Sequence, residues 1–472
     1  MNQRLHFIAI GGSVMHNLAL ALQDAGAQVS GSDDEIHEPA RGRLDRAGLL
    51  PAEMGWHPER IVPGLDAVIL GMHAREDNPE LIKALSLGIP VYSFPEFVHR
   101  HCQHKQRIVI AGSHGKTTVT SIIMHVLRGL GRQFDYLVGA QLEGFDRMVR
   151  LSSTAPCILI EGDEYQSSAL DHRPKFAHYD PHILVLTGIA WDHVNVYPTE
   201  EEYLAQFANL LQNLTKAGMC VYNKDDKTVR ELAHKYLVKD FHFPYPYTIA
   251  YNPVGQIGYR SKYTVKKIYK HKDGHTDIKL DGHRFGTSLF GKHNVSNIAA
   301  AYEVCKLLAV SPEEFAEQLA SFRGAALRLQ RIHQAGNLTV YRDFAHAPSK
   351  AHATVDAVAE AYKGYQLTAV LELHTYSSLN RQFIEQYQGT LKKATHKIVL
   401  VNQHALEQKK MPRLTEADVF RAFGDRSIVF VQNRQELAQA VHQALSPGLP
   451  SVLLLMSSGT LDGYRFEAQA VY

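Results

Sequence analysis

The segment Gly112-Ser113-His114-Gly115-Lys116-Thr117-Thr118 combines the residue types and spacing that point most directly to chemistry. Arg107-Ile108-Val109-Ile110-Ala111 before it reads as a short buried strand. After it, Val119, Ile122, Ile123, Val126 and Leu127 recur at helical spacing and stop near Gly129 and Gly131. A glycine-rich turn that opens a helix leaves backbone N–H groups unpaired at the positive end of the helix dipole. Such a turn suits a polyphosphate. Lys116 would reach the β- and γ-phosphates, and Thr117 would offer its hydroxyl to Mg²⁺. The pattern predicts an ATP site built on Gly112, Gly115, Lys116, Thr117 and Thr118. The usual loop has a further glycine where this chain has Ile110. A turn that serves only strand-to-helix packing is the alternative.

Two acidic groups follow predicted strands. Ile158-Leu159-Ile160 leads into Glu161-Gly162-Asp163-Glu164, and Ile183-Leu184-Val185-Leu186-Thr187 leads toward Trp191-Asp192-His193. Carboxyl ends of strands are where open α/β sheets place ligands. The carboxylates suit a hard divalent cation, though a solvated acidic turn would look the same. The His193 imidazole is a candidate ligand for a second metal, with Asp192 to orient it. Asn294 and Asn297 share a helix face, and paired amides match the donor and acceptor edge of adenine. Helix capping by Asn294 is the alternative. Arg328 lies at a junction from which an arginine could meet a γ-phosphate on closure. Asp343 closes a strand, and His346 follows it.

The elements that must position these residues alternate strand and helix. Leu5–Ile10, Ala27–Gly31, Ala67–Leu70 and Pro90–Ser93 read as strands, with a helix from about Val14 to Ala25. Gly11 and Gly12 turn the chain after the first strand, and Ser32 and Asp33 follow the second. That arrangement suggests a nucleotide held by its diphosphate and sugar. A full G-x-G-x-x-G is absent, and a turn used only for packing would also fit. Residues from about 240 to 290 alternate, as in Tyr263–Tyr269, and Asp273-Gly274 resembles a hairpin turn, so a small antiparallel insertion is predicted there. From about Leu327 new strands begin at 338–341, 367–371, 398–401 and 452–456. The fold class is α/β with three domains: a Rossmann-like domain over 1–104, a phosphate-loop domain with the insertion over 105–326, and a second Rossmann-like domain over 327–472.

A chain of 472 residues exceeds one core. A net charge of +2 gives no electrostatic case for nucleic acid or an acidic membrane. Cys102, Cys157, Cys220 and Cys305 are scattered, as expected of reduced thiols, and no signal peptide or membrane span is visible, so the cytoplasm is the expected compartment. His99, His101, Cys102 and His104 cluster, and an exposed linker is favoured there over a metal site.

The order of these motifs resembles the Mur ligase family, ATP-dependent amide-forming enzymes of bacterial cell-wall synthesis, over essentially the whole chain. The resemblance implies a UDP-sugar domain, an ATPase domain and a C-terminal domain that brings the amine. It implies Thr117 and Glu161 as ligands of a first Mg²⁺, His193 as ligand of a second, and Lys116 and Arg328 in catalysis. Asn294, Asn297, Arg328 and Asp343 would contact ATP; Gly11, Gly12, Ser32, Asp33, His346 and His374 would contact the other substrates. Ile8-Ala9-Ile10-Gly11-Gly12, Gly31-Ser32-Asp33 and Asp343-Phe344-Ala345-His346-Ala347-Pro348 are similar to the members that take UDP-N-acetylmuramate. Asp171-His172-Arg173-Pro174-Lys175-Phe176-Ala177-His178-Tyr179 is similar to the branch that adds the recycled murein tripeptide L-Ala-γ-D-Glu-meso-diaminopimelate. Addition of L-alanine is the alternative. A phosphate-loop ATPase or a sugar-nucleotide-binding regulator is the alternative of another class. The chain departs from the family at Gly188, where an asparagine is usual, and at Phe207, where many members carry a carbamylated lysine.

Overall fold

The computed structural model describes residues 3–142, 144–215, 218–237, 247–251, 269–270, 276–445 and 448–467. The chain divides into two compact units. One comprises Met1–Ile189, Leu204–Tyr251 and Ala300–Phe315; the other comprises Ala190–Tyr203, Asn252–Ala299 and Ala316–Tyr472.

The first unit holds two sheets. The smaller orders its strands Gln28–Ser32, Arg4–Ile8, Ala67–Leu70, Val91–Ser93, all parallel. The predicted first helix is Ser13–Asp24, beginning just after Gly12. The larger sheet has seven strands, with Gln106–Ala111 between Cys157–Glu161 and Ile183–Leu186. These strands are apolar on both faces because helices cover both sides of a parallel sheet. The helix Lys116–Gly129 buries Val119, Ile122, Ile123, Val126 and Leu127, each contributing about 1.5–3 kcal/mol. The three central strands of this sheet therefore end together, carrying the phosphate loop, Glu161 and Thr187 at their carboxyl ends.

The second unit holds a six-stranded sheet ordered Gln330–Ala335, Leu338–Asp343, Ser451–Met456, Gln366–Leu373, His396–Val401, Val429–Val431. Only Gln330–Ala335 runs antiparallel to its neighbour. The predicted insertion is narrower than expected. Tyr247–Tyr251 pairs in parallel with Met219–Asn223 and extends the seven-stranded sheet, whereas Tyr269–Lys270, Thr276–Leu280 and His283–Thr287 form a separate antiparallel sheet. Its visible hairpin turns at Asp281-Gly282, both at positive φ, as a two-residue turn requires. Tyr263–Lys267 and Asp273-Gly274 lie outside the described residues.

The predicted exposed linker near His99 is instead structured. His99 and His101 end the helix Phe94–His101, and Cys102 and Lys105 are buried. The Lys105 ammonium pairs with Asp135, which replaces the solvent it has lost. Among the described residues no cluster of metal-ligating side chains and no membrane-spanning helix is present.

Candidate active site

Local backbone chemistry shapes the phosphate loop. Gly112 has φ 126° and Gly115 φ 85°, conformations that favour glycine. A β-carbon on Gly112 would overlap Thr187 Oγ1 and lie 2.8 Å from the Gly188 carbonyl oxygen. Ser113 N donates to that same carbonyl at 2.8 Å, and Thr187 Oγ1 donates to Ala111 O at 3.1 Å. The loop is thereby held against the end of the neighbouring strand. Thr118 is buried on the first helical turn.

The loop's polar groups meet the acidic segment. Lys116 Nζ donates to Gly112 O and to Glu164 Oε2, both at 2.6 Å. Burial alone would depress this ammonium; Glu164, Asp163 and Glu161 outweigh it and hold its pKa above the ordinary value. Thr117 Oγ1 donates to Glu161 Oε1 at 2.6 Å, and Gly139 N donates to Glu161 Oε2 at 3.0 Å. The three acids thus divide their tasks. Asp163 accepts from Lys175 Nζ at 2.6 Å; burial would raise its carboxyl, but Lys175 and Lys116 carry it below the usual value. Only Glu161 faces the threonine hydroxyl. A hydroxyl and a carboxylate side by side fit Mg²⁺, which takes few protein ligands and completes its octahedron with water and phosphate oxygens.

In the smaller sheet, Gly11 N donates to Asp33 Oδ2 at 2.7 Å. A β-carbon on Gly11 would stand 2.8 Å from Ile36 Cγ1. Asp33 therefore closes the glycine turn. Burial pushes its pKa up to about 6, and neighbouring Asp34 acts in the same direction. Ser32 is fully buried, and its hydroxyl accepts from Arg60 Nη1 at 3.2 Å, beside the buried His6–Glu80 pair. Its side chain belongs to this internal network.

The remaining candidates lie in the second unit. Asp192 Oδ1 accepts the backbone N–H of His193 at 2.8 Å, and His193 has φ 60°. The carboxylate stands 3.7 Å from Lys350 Nζ and 4.0 Å from His346 Nε2. Asp192 thus also holds the His193 backbone. Burial would raise the Asp192 carboxyl, but Lys350, His193 and His346 bring it to about 2. Burial and Lys350 lower His346 to about 3. Its Nδ1 lies 2.9 Å from Phe344 O, which places the proton on Nδ1 and leaves Nε2 as an acceptor.

Asn294 Nδ2 donates to Phe290 O at 2.9 Å, and Asn294 Oδ1 accepts from Asn297 at 3.5 Å. These buried amides partly satisfy one another. Arg328 stacks on the Phe344 ring at 4.6 Å, so the arginine and the motif at 343–348 form one cluster. Asp343 Oδ2 accepts from Thr354 at 2.8 Å. His374 Nε2 lies 3.1 Å from Ser458 Oγ, and buried Glu372 accepts from Asn402 and the Leu461 amide. Sequence reasoning left out Lys175, Lys350 and Glu372 as partners; each acts through a contact remote in sequence or buried inside a strand.

Three domain families match the chain. The Mur ligase family catalytic domain matches residues 4–106, the Mur ligase middle domain 110–305, and the Mur ligase glutamate ligase domain 327–459. The chain belongs to the Mur ligase family. It is an ATP-dependent ligase of the three-domain Mur architecture. The UDP-N-acetylmuramate–L-alanine ligase of Carboxydothermus hydrogenoformans is 29% identical over 99% of this chain and 96% of that protein. The UDP-N-acetylmuramate–L-alanyl-γ-D-glutamyl-meso-2,6-diaminoheptandioate ligase of Escherichia coli is 28% identical over 78% of each chain. A murein peptide ligase structure from Psychrobacter arcticus matches with TM-score 0.67 and 19% identity, over 98% of this chain and 97% of that one. At that identity the match speaks for the fold.

Proposed function

We propose that this ligase joins the carboxyl group of UDP-N-acetylmuramate to an amine, in domains bounded at 1–104, 105–326 and 327–472. The muramate carboxylate attacks the γ-phosphate of ATP. ADP leaves and an acyl phosphate remains; the amine then attacks the acyl carbon, forming the amide bond as inorganic phosphate departs. A carboxylate is a poor acylating agent, so phosphorylation supplies the leaving group. Catalysis is mainly positioning and charge neutralisation. The supporting observation is that Lys116 and the Thr117–Glu161 pair lie at a phosphate loop in a chain of Mur ligase domains.

Lys116 exchanges Glu164 for phosphate oxygens and neutralises the transferring group. Thr117 and Glu161 would hold Mg²⁺, which would screen the charge of the phosphates, and His193 is the proposed ligand of a second ion. Asn294, Asn297 and Asp343 serve the nucleotide, with Arg328 on its phosphates. Gly11, Gly12 and Asp33 serve the UDP group, with Ser32 behind them; His346 and His374 serve the amine. The proposed compartment is the cytoplasm.

Two observations bear on the amine. The relatives favour L-alanine, because the relative named for alanine addition matches nearly the whole chain and the one named for the peptide matches less of it. The stretch Asp171–Tyr179 favours the murein tripeptide only through its resemblance to the tripeptide-adding branch; in the structure Arg173 donates to Asp171 and Lys175 to Asp163, beside the phosphate loop. Our reading is the tripeptide, with L-alanine as the second. Phosphate release with ATP, Mg²⁺ and UDP-N-acetylmuramate separates them. Stimulation by the tripeptide but not by L-alanine supports the first reading, and the reverse establishes the second. ATP turnover indifferent to UDP-N-acetylmuramate would remove both.

A further inference from the structure

A hydrogen-bonded path runs between the glycine turn of the smaller sheet and the carboxylate of Glu161. His16 lies on the helix that the turn opens, and its Nδ1 is 2.8 Å from Gly12 O. The Gly12 carbonyl places a proton on Nδ1, and the Asn17 amide facing Nε2 makes that nitrogen the acceptor; burial favours this neutral form by lowering the His16 pKa. Asn17 Nδ2 fills that acceptor at 2.9 Å and also meets Ser13 O at 2.9 Å. The other end of the same amide, Asn17 Oδ1, accepts the backbone N–H of Met148 at 3.1 Å. Met148 O in turn accepts from Val138 N at 2.9 Å. The next residue, Gly139, donates its N–H to Glu161 Oε2 at 3.0 Å.

Asn17 is buried and 131 residues from Met148 in sequence. It is the side chain through which the path passes from the helix to the connection between the strands Asp135–Leu137 and Val149–Arg150. Two further contacts hold that connection to the same domain. Arg43 Nη2 donates to Gln141 Oε1 at 2.6 Å, and Arg147 Nη1 donates to Leu20 O at 3.0 Å. An asparagine is suited to this place because it donates at one end and accepts at the other. Leucine would fill the space but take the acceptor from the Met148 amide and leave His16 Nε2 with its 3.5 Å contact to Arg43 Nη1.

We infer that Asn17 is a positioning residue that couples occupation of the Gly11-Gly12 turn to the metal-holding carboxylate of Glu161. This rests on the proposed roles of that turn and of Glu161. A diphosphate on the turn fixes the first turns of the helix Ser13–Asp24. Asn17 carries that order to Met148, and Gly139 then holds Glu161 Oε2 so that Oε1 faces the cation. Nucleotide and UDP-sugar should bind more tightly together than apart, and by linkage each should strengthen the other equally.

The test measures the dissociation constant of a Mg²⁺-loaded, non-hydrolysable ATP analogue with and without saturating UDP-N-acetylmuramate. The wild-type chain should show a ratio of roughly 5- to 150-fold. In Asn17→Ala the ratio should fall close to one, while each ligand alone binds nearly as before. Asn17→Asp keeps the acceptor for Met148 but loses the donor to His16 Nε2 and Ser13 O, so its ratio should fall as well. A purely structural role would weaken both ligands and leave their ratio intact. An unchanged ratio in Asn17→Ala, or a wild-type ratio of one, overturns the inference. If Asn17→Ala does not fold, Asn17→Asp decides: a reduced ratio supports coupling through Asn17 and an unchanged one overturns it. Failure of the wild type to bind either ligand would instead remove the functional reading beneath it.

Discussion

The imidazole of His114 stands over the α-carbon of Gly188: a β-carbon there would lie 2.8 Å from Nε2 and 3.0 Å from Nδ1. The loss of the usual asparagine at 188 therefore accompanies a ring that uses its space. Gly188→Asn should force the ring aside. The ring is the mobile end of its side chain, so the effect should fall on nucleotide affinity more than on stability. We expect the KM for ATP to rise about tenfold, equivalent to about 1.4 kcal/mol. His114→Gly in the same chain should restore much of it. An unchanged KM in Gly188→Asn would show that the ring has no part in holding the loop.

Asp33 should make UDP-substrate binding and stability depend on pH near 6. Its folded pKa of about 6 is raised chiefly by burial. The native state then holds a proton that the unfolded chain releases from about pH 4 upward. Stability from this group is present below its unfolded pKa and is lost as pH rises through 6. The neutral form also repels a diphosphate less, so the KM for UDP-N-acetylmuramate should increase across pH 5–7. Asp33→Asn should flatten both trends, as read by denaturant unfolding and initial rates at a series of pH values.

His346 should act in the opposite sense. Burial and Lys350 lower its pKa to about 3, below an unfolded value of about 6.5. The unfolded chain binds the proton first, so stability present above pH 6.5 is lost as pH falls toward 3. Asp192, at about 2, adds to the loss only below its unfolded value near 3.9. His346→Gln should reduce the slope of stability between pH 4 and 6 while leaving it above pH 7 little changed. An unaltered slope would mean that His346 is not buried in its neutral form.

Features governed by neighbouring residues were legible in the sequence. The phosphate loop is one, because Gly112, Gly115 and Lys116 state their backbone and charge needs within a few positions. The parallel strands are another, since Ile108–Ala111 and Ile183–Leu186 must be apolar on both faces. Pairings remote in sequence were not legible. Glu161, Asp163 and Glu164 read as one acidic group, yet their partners are Thr117, Lys175 and Lys116. Tyr247–Tyr251 alternates like the insertion but joins the seven-stranded sheet, since the choice of neighbour is made in space. Phe207 looked like a missing lysine; the structure packs it against Phe176 at 5.3 Å, so core fills that position.

Lys116 and Glu164 give the sharpest test of the phosphate-loop assignment. Their contact at 2.6 Å is a partly buried ion pair, and the lysine also holds Gly112 O. Lys116→Ala should abolish product formation, with a loss of at least about 10²–10³ in turnover from one missing charge at the transferring phosphoryl group. UDP-N-acetylmuramate binding, followed by calorimetry, should stay nearly intact because its proposed site uses Gly11, Gly12 and Asp33 instead. Glu164→Gln should behave differently. It frees the ammonium from its carboxylate, so ATP should bind no more weakly, while turnover falls only to the extent that Glu164 aims the lysine. Retained turnover in Lys116→Ala would sink the phosphate-loop assignment. A parallel loss of UDP-N-acetylmuramate binding would show that the variant had disturbed the fold of this unit.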